Sequence, residues 1–251
     1  MSALSILALL ATVLITTTIS GVFGMAGGVI FMGVLAVLLP ISAAMVTHGI
    51  IQIAANGSRA TLHRRQIVWP IIGWYLLGTA LALAVVTLLA YAPSPAMVNF
   101  GLAGVCFIVW LPGKLFALDA QNPPHAALCG LSVTGLNIAA GVAGPLLDIF
   151  FIKTTLTRHQ IVATKAVTQV LSHAAKIAFY GLALLIAAQA STLPPWWVLA
   201  LGIALSFVGT ALGAKWLNQM TDKGFLAWTK WLITAMGFLY LARALHLIGI
   251  P

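Results

Sequence analysis

Apolar runs separated by short polar stretches fill almost the whole chain. They fall near 3–22, 29–39, 43–60, 67–91 and 96–112, then near 125–142, 145–156, 159–187, 195–216 and 224–248. The ten segments divide into two sets of five in the same order. About 20 helical residues cross a hydrocarbon core, so most of these runs read as membrane-spanning helices. The second run of each set is too short, roughly 17 Å at 1.5 Å per residue. Each short run follows a glycine-rich break, Gly24-Met-Ala-Gly-Gly28 in the first set and Ala140-Gly-Val-Ala-Gly144 in the second. Irregular backbone at membrane depth is tolerated only where protein or a water-filled cavity satisfies its polar groups. Small residues also let helices pack closely, but broken, short helices at matching places of two halves point to a transport site.

The pattern predicts an all-α polytopic membrane protein, one membrane domain over 1–251, with internal repeats at about 3–112 and 125–248. An odd number of segments per copy makes the second copy insert upside down, giving two inverted repeats with the short broken helices at their centre. A shift of 116 residues superposes the two breaks and sets Gln52 on Thr168 and Asn56 on Ser172. Gly78-Thr-Ala-Leu81 recurs as Gly209-Thr-Ala-Leu212 at a shift of 131, the extra residues lying mostly at 181–194. Basic residues agree with inversion. If Arg59 to Arg65 is cytoplasmic, then Lys114, Lys153 with Arg158, and Lys215 with Lys223 fall on the same side. The loops at 40–42, 92–95 and 188–194, on the far side, carry no charge, and Lys176 and Arg243 lie towards that outer face. Because orientation follows loop Lys and Arg, this supports five segments per half with both termini outside. Short segments that dip in and return would change the crossing count.

Composition narrows the function. Hydrophobic residues are 62% and charged residues 6% of the chain, with a mean hydropathy of +1.10, whereas a soluble domain carries about 25% charged residues. The formal charge of +9 sits in short loops between apolar runs, which is topology rather than nucleic-acid binding. Met1-Ser-Ala-Leu-Ser lacks the basic start of a signal peptide, so the first run reads as a retained helix. Cys106 and Cys129 lie in apolar runs and make neither a disulfide framework nor a metal site. No cofactor is expected. The lipid bilayer is the surrounding partner, and a homo-oligomer stays open.

The third run of each set carries a polar stripe. His48, Gln52, Asn56 and Arg59 are spaced to occupy one helical face roughly 80° wide. Lys165, Thr168, Gln169, Ser172 and Lys176 share another, with His173 at its flank. A lysine at a helix centre costs at least ~2.5 kcal/mol on the lenient insertion scale, so it faces the bundle interior or water. Arg59 and Lys176 could instead snorkel to opposite interfaces, and His48 could be an ordinary hydrogen-bonded core histidine. Helix starts after glycine breaks offer N–H groups to oxyanions, lysine adds charge, and Asn, Gln and Ser add donors. Carboxylates are only three, Asp119, Asp148 and Asp222, whereas a cation pump needs several embedded acids. The expected substrate site is therefore Gly24, Gly27, Gly28, His48, Gln52, Asn56, Gly141, Gly144, Lys165, Gln169, Ser172 and Lys176. His48 and Asp148 are the candidates for proton coupling, although Asp148 could simply pair with Lys153 or Lys165.

The run Ser20-Gly-Val-Phe-Gly-Met-Ala-Gly-Gly28, ending at Pro40 and leading to Asn56 and a basic loop, resembles the TauE/SafE sulfite exporter family. A weaker echo at 135–144, followed by Thr164-Lys-Ala-Val-Thr-Gln169, is similar to the family's second repeat. The resemblance covers essentially the whole chain, with Gly144-Pro145 in place of a doubled glycine. It implies a bacterial-type cytoplasmic-membrane permease for sulfite, sulfonates or related sulfur-containing anions. The leading expectation is a secondary transporter, an exporter of a small sulfur oxyanion or organosulfonate by alternating access. A passive anion channel uses the same groups. An intramembrane enzyme would need a nucleophile with its base, or paired acids or metal ligands. Six scattered histidines with no His-x-x-x-His spacing do not supply them.

Overall fold

The computed structural model describes residues 1–23, 26–111, 118–217 and 222–249. These residues form ten α-helices and no strand. The first five are α1 (Ala3–Phe23), α2 (Ala26–Leu38), α3 (Ile41–Leu62), α4 (Trp69–Leu88) and α5 (Pro95–Phe107). The second five are α6 (Pro123–Ala140), α7 (Gly144–Phe151), α8 (Arg158–Ile186), α9 (Trp196–Leu217) and α10 (Asp222–Leu247). Four helices contain stretches long and apolar enough to cross a membrane, Ala3–Gly21, Trp69–Leu88, His159–Ile186 and Trp196–Gly213. Helix α3 is as long as these, at 22 residues, but its polar stripe lowers its hydropathy. The second helix of each half is short as expected. Helix α2 starts earlier than the apolar run, at Ala26, and α7 stops at Phe151 rather than near 156. Beyond Phe151 the chain runs out to Thr157, whose side chain caps α8 by accepting from the Gln160 amide in a reciprocal box.

Two matching pairs of helix ends are equally spaced. Helices α1 and α6 end at Phe23 and Ala140, and α3 and α8 begin at Ile41 and Arg158; both pairs are 117 apart (140 − 23 and 158 − 41). That spacing is one residue longer than the shift of 116 read from the sequence. At 117, Gly24 matches Gly141, Gly27 matches Gly144, and Gln52 matches Gln169.

Packing respects the same exchange. Helix α1 lies along α9 as α6 lies along α4, while α3 pairs with α8 and α5 with α10. A methyl group on Gly78 would strike the Ala127 backbone oxygen of α6, and one on Gly130 the Tyr75 oxygen of α4. Gly209 sits likewise against Leu14 and Thr17 of α1. Missing side chains let the backbones touch, the usual way helices associate in lipid. Outside this framework large apolar side chains such as Leu77, Leu88, Leu185 and Trp196 are exposed, the composition of a lipid-facing surface. The pair α3 and α8 stands at the centre, with both breaks beside it.

Candidate functional site

Break two ends α6 with Gly141 in the left-handed conformation, φ 88°, its N–H bonded to the Asn137 oxygen. Glycine takes this cap without steric cost. The last carbonyls of α6 are then met from afar: Tyr180 Oη donates to Ile138 O at 2.7 Å and Lys176 Nζ to Gly141 O at 2.7 Å. A cation at a helix C-terminus is also favoured by the helix dipole. Across the centre, His48 Nε2 lies 3.0 Å from Gly28 O of α2. A carbonyl only accepts, so Nε2 carries the proton and Nδ1 offers a lone pair. Lys176 Nζ fills it at 2.9 Å. The third ammonium proton faces Asn137 Oδ1 at 3.3 Å. All three donors of this fully buried lysine are used. One chain of bonds therefore runs from Gly28 through His48 and Lys176 to Gly141, joining the two breaks.

Beside this link lies a cavity of about 40 Å³, room for three or four water-sized groups at ~10–15 Å³ each. Its walls include Ser20, Gly28, His48, Gln52, Asn56 and Arg59 from the first half, and Asn137, Gly144, Gln169, Ser172 and His173 from the second. Asn137 Nδ2 donates to His173 Nδ1 at 3.3 Å, so a neutral His173 has its other N–H for the cavity. Ser172 is oriented by hydroxyl neighbours, Tyr75 at 2.5 Å and Thr134 at 2.9 Å, and Thr134 continues to Thr79 at 3.0 Å. The cavity follows α3 from His48 to Arg59, eleven residues or about 16 Å, but touches only one turn of α8. Arg59 closes the long end. Its guanidinium donates to Asn56 Oδ1 of its own helix at 3.2 Å, leaving further N–H groups for an occupant. No carboxylate is among the lining residues.

The structure brings Gly28 and Gly144 of the breaks to one cavity with His48, Gln52, Asn56, Gln169 and Ser172 of the stripes. Lys176, also expected in the site, is buried off the wall, bonded to acceptors on α3 and α6 rather than extended to an interface. Gly141 contributes its carbonyl to Lys176 and not a wall. Gly27 packs against the Thr16 backbone oxygen of α1, a packing role. Lys165 is ion-paired with Asp148, the two side chains 19% and 43% exposed, and neither is on the wall. Of the two proton-coupling candidates, only His48 is central. Gly24 and Lys114 lie outside the described residues. Sequence reasoning passed over Ser20 and Asn137, left His173 at the flank, and gave Arg59 no place among the binding residues. At a spacing of 117 in the sequence, Ser20 falls on Asn137, Asn56 on His173, and Arg59 on Lys176 (59 + 117 = 176).

Compared with known proteins, residues 9–240 match the family model described as Sulfite exporter TauE/SafE. No curated protein and no solved structure matches the chain.

Proposed function

The chain belongs to the TauE/SafE sulfite exporter family, and from that premise we propose that it carries a small sulfur-containing anion across the cell membrane as a secondary transporter, by alternating access between two inverted halves. One observation carries the reading: the cavity presents Arg59 and a ring of donors, and no carboxylate. An oxyanion is all acceptor. The guanidinium binds it with charge-assisted bonds. The amides of Gln52 and Gln169, the His173 N–H and the Ser172 hydroxyl fix its orientation. Backbone N–H groups in the first turns of α2 and α7 add partial positive charge. Buried cations are costly without a counter-charge, so Arg59, with Lys176 a layer behind, favours an occupied cavity.

Size selects within the class. A space for three or four water-sized groups fits sulfite or another compact oxyanion and leaves little for a long organosulfonate chain. His48, bonded to Gly28 of the first break and through Lys176 to Gly141 of the second, is positioned to couple a proton to the cycle. On the reading that basic loops stay cytoplasmic, the Arg59 end of the cavity faces the cytoplasm, which suits an exporter that loads from within.

Counterflow tests the proposal. Proteoliposomes preloaded with sulfite are expected to take up labelled sulfite several-fold faster than empty ones, with thiosulfate and a short sulfonate competing in order of size. Flux without acceleration by preloading means a channel. Absence of flux for all three anions removes the substrate assignment.

A further inference from the structure

Four buried hydroxyls form one line beside the cavity. Tyr75 Oη lies 2.5 Å from Ser172 Oγ, Ser172 lies 2.9 Å from Thr134 Oγ1, and Thr134 lies 3.0 Å from Thr79 Oγ1. Each hydroxyl brings one proton and each contact uses one, so one proton more than the contacts need must be donated outside the line. Ser172 is the member on the cavity wall. Among the described residues, Tyr75, Thr134 and Thr79 have no acceptor beyond the line for their hydroxyl protons. A buried donor without an acceptor is costly, so the surplus proton leaves at Ser172. Tyr75 and Thr134 then both donate to Ser172. Its two lone pairs are filled, and it can only donate.

A second line ends the same way. The Lys176 ammonium has no acceptor capacity, so its contact at 3.3 Å fixes the Asn137 amide with the oxygen towards it. Asn137 Nδ2 then faces His173 Nδ1 at 3.3 Å, and the proton of a neutral His173 sits on Nε2. His173 and Ser172 are consecutive on α8 and both line the cavity. The Gln52 and Gln169 amides can present either end, so they follow an occupant rather than select it. Selection falls to the groups that only donate, Arg59, His173 and Ser172.

We propose that Tyr75 and Thr134 are positioning residues that lock Ser172 as a donor, so that the site takes oxyanions without an O–H group and turns away those that carry one. The inference rests on the anion reading above and deepens it, narrowing the substrate class to fully deprotonated oxyanions. A protonated oxyanion of equal charge and size meets Ser172 donor to donor, and a buried proton goes unmatched. Hydrogen bonds aligned in a chain also polarise one another, so the line strengthens the bond from Ser172 to an acceptor. Thr79 stands behind the lock, because Thr134 donates to Ser172 with or without it.

Nitrate and hydrogencarbonate test this. Both are planar monoanions with the same number of heavy atoms as sulfite, and they differ from each other by one O–H. Displacement of labelled sulfite from purified protein in detergent gives their relative affinities. In Tyr75→Phe and in Thr134→Val, Ser172 regains a lone pair that can accept the hydrogencarbonate proton. The ratio of hydrogencarbonate to nitrate affinity is expected to rise by roughly fivefold or more in each. Thr134→Ser keeps the hydroxyl and is expected to keep the parent ratio. Thr79→Val is also a buried change of hydroxyl to methyl and is expected to leave the ratio at the parent value, whereas a packing role would make the two valine variants alike. With Ser172 already replaced by alanine, Tyr75→Phe is expected to shift the ratio no further. An unchanged ratio in folded Tyr75→Phe or Thr134→Val, an equal shift in Thr79→Val, or bound sulfite that neither anion displaces in any variant overturns the lock and leaves the transport reading in place. A parent protein that binds no sulfite overturns both.

Discussion

Arg59 and Lys165 are both cations on stripes that flank the breaks, yet only Arg59 reaches the cavity wall. A hydrogen bond to a charged group contributes about 1.5–3 kcal/mol, so Arg59→Gln is expected to raise the half-saturating sulfite concentration by roughly 10- to 100-fold. Lys165→Met is expected to stay within about threefold of the parent, since its charge is spent on Asp148. It should instead lower thermal stability in detergent by leaving Asp148 unpaired. The concentration dependence of proteoliposome uptake measures the first difference, and a melting curve the second. The two glycines of the first break also separate. A methyl on Gly28 would sit 2.6 Å from Gln52 Nε2, the far end of a flexible side chain. Gly28→Ala should therefore fold and lose apparent affinity through a displaced amide. In Gly27→Ala the methyl meets the rigid Thr16 backbone instead, so the folded yield should fall. Equal yields for the two variants would contradict this division. The stripe from His48 to Arg59 was legible from spacing alone, because 100° per residue fixes a face. Which cation turns inward was not legible. A long side chain snorkels or folds back according to the acceptors opposite it, and those of Lys176 lie on Asn137 and Gly141, more than 30 residues away in the chain.

Helices as units were readable wherever a run was long and apolar, and the shortness of α2 and α7 was readable from the breaks before them. The geometry at the breaks was not. Gly141 serves the left-handed cap of α6 and packs on Met32, whose Cγ would lie 2.7 Å from an added methyl. The left-handed conformation costs an L-residue roughly 1–2 kcal/mol. Gly141→Ala should thus lower the melting temperature by several degrees. Gly141→Asn should lose less to backbone strain, because asparagine tolerates that conformation. Melting in detergent checks the order of the two, and a parent-like Gly141→Ala would show that the cap relaxes freely. The repeated Gly-Thr-Ala-Leu motif acquires its meaning at this scale as well. Gly78 and Gly209 occupy corresponding contacts, α4 on α6 and α9 on α1, so alanine at either should reduce folded yield comparably. Composition could suggest close packing there. It could not say which helix lies opposite.

Across the whole molecule, exchange of the two halves leaves the main helix contacts in place, α1 on α9 with α6 on α4, and α3 on α8. The halves being inverted is the reading that reconciles this with the charges. The turn at Arg64–Gln66 packs against α8, the Val68 N–H donates to Thr164 Oγ1 at 3.0 Å, and the His63 and His159 rings lie 6.0 Å apart. The loop after α7 is tied to the loop before α6, where Ala120 N donates to Phe150 O at 2.8 Å and Thr155 N to Gln121 Oε1 at 2.7 Å. Arg64, Arg65 and Lys153 belong to this set of connections, whereas the loops at 89–94 and 187–195 carry no Lys, Arg, Asp or Glu. Lys and Arg stay on the cytoplasmic side during insertion. With Cys106 and Cys129 replaced by alanine, cysteines at Arg64 and Lys153 are therefore expected to react with an impermeant maleimide only in inside-out vesicles. Cysteines at Ser94 and Gln189 should react only in right-side-out vesicles. A shared face for Arg64 and Lys153 is what the ten-segment order requires, because Arg64 lies after the third segment and Lys153 after the seventh, and four crossings between them return the chain to the same face. Reaction of Arg64→Cys and Lys153→Cys from opposite faces would mean that one of the segments between them, of which α7 is the shortest, fails to carry the chain across. The halves would then be parallel or unequal, and a single site served alternately from two sides would lose its structural basis.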